Sequence, residues 1–220
     1  MSGQRVVSRI RVTPVSTPDE IEADLAEAAA VLGLMADGTL ADIAAAADLI
    51  SGTLRAGGKV LCFGNGGSAA AAQHLAAELV GRFLLEREGL AAIALAADGA
   101  VVTALGNDYG FEAVFARQVE ALGREADVLV GFTTSARSTN VTNAFRAGQA
   151  RGCASVAFTG GRTGELNRLT DICVSIPSEV VPRIQEAQVV AGHLMCKLIE
   201  LRTATLPVAA LARRSFELPG

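Results

Sequence analysis

Five short apolar runs mark the second part of the chain: Val60–Phe63, Ala91–Leu95, Val128–Phe132, Ser155–Thr159 and Ile172–Ile176. Between them lie stretches of about 10 to 15 residues with helical periodicity, the alternation expected of βα units. Strands apolar on both sides belong to a parallel sheet covered by helices on each face. The expected fold is therefore α/β, a three-layer sandwich with a central parallel sheet over residues 57–203. A last helix, about Arg183 to Thr203, follows Pro182.

Upstream of the sheet the pattern is helical. Thr17-Pro18-Asp19-Glu20 combines an N-cap Thr, a Pro at the first helical position and a Glu three residues after the cap. The helix it opens runs to about Met35. A second helix spans Leu40 to Arg55 and stops at Gly57-Gly58. Both are apolar around much of their circumference, which predicts burial against another subunit. Residues 1–16 read as an N-terminal arm, 17–56 as a helical oligomerisation segment and 204–220 as a C-terminal tail.

Composition narrows the picture. The 220 residues suit one domain, and half are apolar while only 4% are aromatic, so Ala, Val, Leu and Ile must build the core. A net charge of −4 without any basic run argues against nucleic acid as a partner. The longest apolar stretch, Leu90 to Leu105, is broken by Asp98 and Gly99, so no membrane partner is expected. The N-terminus lacks the apolar segment of a signal peptide. Four dispersed cysteines without a CxxC pair point to a reducing, cytoplasmic setting.

Three features carry chemistry. Gly64-Asn65-Gly66-Gly67-Ser68 follows the first strand and opens a helix, which suits either an anion at the helix N-terminus or a plain strand–helix turn. Thr133-Thr134-Ser135-Ala136-Arg137-Ser138 holds the equivalent place after the third strand. Four hydroxyls exceed what capping needs and favour a phosphate site. The chain has two histidines. His74 precedes Glu78 by one turn on the helix after the glycine loop, and His193 lies eight residues after Gln185 on the last helix. A His/carboxylate pair at this spacing is half a zinc-type site, but each His taken alone also fits a hydrogen-bonded core position.

Gly64-Asn65-Gly66-Gly67-Ser68, His74-x-x-x-Glu78-Leu79-x-Gly81-Arg82 and Gly106-Asn107-Asp108-Tyr109-Gly110-Phe111 together resemble the phosphoheptose (sedoheptulose 7-phosphate) isomerases. The Thr/Ser loop and Arg183-Ile184-Gln185-Glu186 with His193 extend the likeness over about residues 19–202. The resemblance implies the sugar isomerase (SIS) fold, flavodoxin-like in outline, and a homotetramer with active sites where subunits meet. It implies one divalent ion per subunit, zinc first, held by His74, Glu78, Gln185 and His193. Glu78 and His193 fall on its acid/base positions. Its substrate contacts fall on Asn65, Gly66, Gly67, Ser68, Glu78, Arg82, Asn107, Asp108, Thr133, Thr134, Ser135, Ser138 and Gln185.

The implied reaction moves a proton between C1 and C2 of sedoheptulose 7-phosphate through an enediol, giving a glycero-manno-heptose 7-phosphate. A sugar-phosphate-binding regulator without activity, or an isomerase of another ketose phosphate, are the alternatives. Three positions depart from the family pattern. Ala136 stands where Gly is usual, which matters if φ is positive there. Arg137 replaces an Asn and either reaches a phosphate or stays solvated. Pro182 replaces an Asp and removes a hydroxyl contact. Gln185 and His193 would be about 12 Å apart along one straight helix. Sharing an ion then requires the side chains to lean together, Gln185 to precede the helix, or subunits to share ligands.

Overall fold

The computed structural model describes residues 17–203; the expected arm 1–16 and the expected tail 204–220 lie outside the described residues. Helix α1, Pro18–Gly38, opens on the anticipated capping box, with Glu20 N–H donating to Thr17 Oγ1 at 3.3 Å and Thr17 N–H to Glu20 Oε2 at 2.6 Å. It continues to Gly38 and bends by 71° into α2, Leu40–Arg55. No single helix among the described residues is long and apolar enough to cross a membrane.

The apolar runs form the strands β1 Val60–Gly64, β2 Ala92–Ala94, β3 Val128–Phe132, β4 Ala154–Thr159 and β5 Ile172–Ser175, all parallel. β2 is shorter than its apolar run because it is an edge strand paired only with β1. Even so, Leu95 N–H still reaches the Cys62 carbonyl at 2.8 Å. The helices are α3 Gly67–Val80, α4 Gly99–Tyr109, α5 Ala116–Leu122, α6 Thr139–Ala150, α7 Leu166–Leu169 and α8 Val181–Thr203, with a 3-10 turn at Phe111–Ala113. α8 starts two residues before the expected Arg183. Pro182 falls in its first turn, where a missing N–H costs nothing.

Strand alternation divides the core in two. Val60, Cys62, Val128, Val130, Val156 and Phe158 face α1, α2, α3 and α8. Leu61, Phe63, Leu129 and Ala157 face α5, α6 and α7. Ile43, Ala46, Ala47 and Ile50 of α2 are buried within this chain, whereas Ile21, Leu25, Leu32 and Leu34 of α1 stay exposed. The sheet order is β2-β1-β3-β4-β5. β1 and β3 are neighbours whose following helices, α3 and α6, leave to opposite faces. That is the switch point of an open α/β sheet, where a crevice opens at the carboxyl ends of the strands.

Candidate active site

Both loops singled out in the sequence lie at that crevice. After β1 the backbone turns through Gly66 at φ 56°, a conformation suited to glycine, and α3 begins without a side-chain cap. A Cβ on Gly67 would sit 2.5 to 2.7 Å from the amide of Gln185, so the bare glycine makes room for that side chain. Asn65 and the buried Asn140 of α6 exchange two amide hydrogen bonds of 2.8 Å each, tying the β1 loop to the helix after β3.

After β3, Thr133 is buried, and Ala136 adopts φ 52°, the only positive value at a non-glycine residue among those described. Ser135 Oγ accepts the Arg137 N–H at 3.3 Å. Ser138 caps α6 in position, but its hydroxyl makes no capping bond. Helix α6 therefore presents unsatisfied N–H groups and a free hydroxyl, the ordinary means of holding an anion. A cleft of about 520 Å³ opens here, lined by Asn65, Phe111, Glu112, Ser138, Thr139 and Asn140. On the other side of the loop a hollow of about 200 Å³ is bordered by Thr134, Ser135, Arg137 and Arg162.

The two histidines come together from 119 residues apart. His74 Nε2 and His193 Nε2 are 2.7 Å from one another, and Glu78 Oε1 is 3.6 Å from His74 Nε2. One donor atom from each of the three residues lies within 4.8 Å of the others. Facing imidazole nitrogens need a shared proton or a cation between them. With a carboxylate oxygen added, the donor set fits a zinc-type ion. His74 is 44% exposed and Glu78 22%, so the cluster opens outward and is not sealed in the core. Cys196 borders it, but burial pushes its thiol up to about 12, helped by the Glu78 and Glu200 carboxylates. It remains a neutral thiol near pH 7.

α3 and α8 run side by side in the same direction. Gln185 meets Gly67 near their starts, and His193 meets His74 seven or eight residues further on, about 10 to 12 Å along the axes. Gln185 lies inside α8, so it does not precede the helix. Of the remaining predicted contacts, Ser68 is buried in the first turn of α3, and Arg82 is exposed with Glu86 3.5 Å away. Asn107 and Asp108 are exposed in the last turn of α4, bonded to each other at 2.8 Å. That turn leads into the Phe111 and Glu112 side of the cleft.

Three residues of the site carry no clear signal in the sequence. Asn140 is the partner of Asn65. Phe83 stacks on His193 with ring centroids 5.3 Å apart. Gln188 is fully buried beside the His/Glu cluster; its Nε2 donates to the Thr133 carbonyl at 2.9 Å, and its Oε1 has no partner among the described residues. A Gln one turn after Gln185 in an apolar helix is the single local sign of the last of these.

Residues 25–160 match the SIS domain family model, which defines the class: a SIS-domain protein. The phosphoheptose isomerase of Burkholderia pseudomallei (strain K96243) is 48% identical over 178 residues, 80% of this chain and 90% of that protein. Solved phosphoheptose isomerases from Francisella tularensis and Neisseria gonorrhoeae superpose with TM-scores of 0.80 and 0.79. They are 38% and 39% identical, cover 83% of this chain, and are themselves covered over 97% and 98% of their length. The chain belongs to the phosphoheptose isomerase family, and it is an aldose–ketose isomerase of sugar phosphates.

Proposed function

We propose that this isomerase converts sedoheptulose 7-phosphate into a glycero-manno-heptose 7-phosphate. The observation that carries the reading is the convergence of His74, Glu78 and His193 beside a crevice whose other wall is a hydroxyl-rich helix start. An open-chain sugar phosphate offers a phosphate for the helix start and a carbonyl end for the cluster. Its phosphate would take the α6 N-terminus with Thr133, Thr134, Ser135 and Ser138. Asn65 and the glycine-loop amides would hold the sugar between, with Arg82, Asn107, Asp108 and Gln185 reaching its hydroxyls.

In this mechanism Glu78 removes a proton from C1 while His193 delivers one to the C2 carbonyl oxygen, leaving an enediol. Collapse in the other sense returns a proton to C2 as the C1 hydroxyl gives up its own, and the aldose results. A divalent ion, zinc by its donor set and one per subunit, would be held by His74, Glu78 and His193 and would stabilise negative charge on the two sugar oxygens. Gln185, fixed at the glycine-loop end of α8, fits a ligand role best if subunits share the site. The exposed Ile21, Leu25, Leu32 and Leu34 of α1 support an oligomer, a homotetramer in this reading. The four free thiols agree with a cytoplasmic enzyme.

The test is to incubate purified protein with sedoheptulose 7-phosphate in D2O and follow the sugar by NMR. Aldose phosphate carrying deuterium at C2 is the expected product. No turnover of this ketose, with turnover of a shorter ketose phosphate, would reassign the substrate. No turnover of either would favour a binding role.

A further inference from the structure

Residues 81–91, between α3 and β2, form neither helix nor strand, yet their backbone groups need partners. Glu200, 1% exposed near the end of α8, supplies many of them. Its carboxylate accepts the N–H groups of Phe83 at 2.8 Å, Leu84 at 2.8 Å and Leu85 at 3.0 Å, and the Arg87 Nε at 3.1 Å. The Arg87 guanidinium closes the other side. Nη2 donates to the Glu78 carbonyl at 2.8 Å, and Nη1 to the carbonyls of Leu79, Gly81 and Glu88 at 2.9 to 3.1 Å. These include the carbonyls that the last turn of α3 leaves unsatisfied.

A buried ion pair is a weak source of stability, because desolvation offsets its attraction. Its effect here is geometric. Three consecutive N–H bonds fix the backbone at Phe83, and the ring lies on the His193 imidazole at 5.3 Å with 27° between planes. His74 meets the same imidazole edge-on at 5.0 Å and 66°. Glu200 follows His193 by two turns of α8. One helix thus carries both the imidazole and the carboxylate that sets the ring covering it. The bond from Arg87 to the Glu78 carbonyl steadies the other proposed proton carrier.

We infer that Phe83 is a positioning residue for His193, held in place by the buried Glu200–Arg87 pair, and that it acts by restricting the imidazole to the orientation facing His74 and Glu78. The inference rests on the proposed role of His193. Outer partners that orient a ligating imidazole are worth about 10- to 100-fold in metal affinity or activity. Phe83→Leu keeps an apolar side chain of similar bulk and removes the flat ring.

The full-length variant is compared with wild type by steady-state kinetics and by titrating Zn²⁺ into metal-free protein against a chromophoric chelator. Phe83→Leu should lower kcat about tenfold and weaken zinc binding about tenfold, with KM changed less than about twofold and thermal stability nearly kept. Phe83→Tyr, which restores a ring, should recover both. Glu200→Gln should show the same kinetic pattern, since either orientation of the amide removes two of its four acceptor contacts. Wild-type kcat and zinc affinity in Phe83→Leu, alongside an impaired His193→Gln, would overturn this inference alone. If both variants kept wild-type turnover, the role of His193 itself would fall. A Phe83→Leu protein whose kcat falls only in step with its stability, without recovery in Phe83→Tyr, would make Phe83 a core residue and end the proposal.

Discussion

The two halves of the candidate site are built on different principles. The His74, Glu78 and His193 side chains stand within long helices, on turns whose neighbours Leu75, Leu79, Met195 and Cys196 are buried. The hydroxyl loop at Thr133–Ser138 is irregular, is organised by its backbone, and contains a residue in a conformation that side chains avoid. Proton transfer demands donor atoms held to a fraction of an ångström, which packed helices supply. Phosphate binding demands several N–H and O–H groups converging on one anion, which a turn at a helix start supplies. The difference predicts that damage to the cluster appears in kcat and damage to the loop in KM.

The largest effect should come from Glu78. Glu78→Gln keeps the size and an oxygen donor but removes the base, so turnover should fall roughly 10²- to 10⁴-fold. KM should change little, because the phosphate contacts belong to the loop. His193→Gln should lose a comparable amount. The double variant should lose less than the product of the two, since both serve one event. Near-normal kcat in Glu78→Gln would break the comparison at its stronger half, and Asp108 would be the next carboxylate to test.

Ser138→Ala probes the other half. Its hydroxyl is free of capping duty, so its removal leaves α6 intact and takes one donor from the anion. A hydrogen bond to a charged group is worth about 1.5 to 3 kcal/mol, which sets an expected rise in KM of at least about tenfold. Turnover at saturation should stay within about threefold. A collapse of kcat with unchanged KM would mean that the loop takes part in the chemistry and that the division between the halves is false.

Much of this architecture is legible in the amino-acid sequence. Periodicity marks all five strands, and Thr17 with Glu20 marks the first helix start, because these signals are local. The two histidines can be paired only through family likeness, since 119 residues separate them. The apolar faces of α1 and α2 look alike in the sequence. Packing separates them: α2 is buried within its own chain, and α1 keeps an exposed stripe. Glu200 and Arg87 give no sign at all. A Glu in the last turns of a helix ordinarily faces water, and only the fold brings it beneath a loop 113 residues away.

The smallest effect concerns Ala136, where the sequence raises a question and the backbone answers it. At φ 52° an alanine costs about 1 to 2 kcal/mol relative to its usual conformation, a strain that glycine escapes. Ala136 is also buried, so Ala136→Gly gives up a packed methyl worth about 0.8 kcal/mol. The balance is a gain of up to about 1 kcal/mol, read as a rise in Tm of a few degrees at most for a domain of this size. Glycine also widens the conformations open to the loop before ligand arrives. Binding should then weaken slightly, with KM up about twofold and kcat nearly unchanged, because the cluster stands on α3 and α8 and its tie to the loop, the Gln188 bond to the Thr133 carbonyl, lies three residues before Ala136. A variant destabilised by more than about 1 kcal/mol would mean that the methyl is worth more than the strain. A change in kcat would couple the two halves that the structure keeps on separate elements.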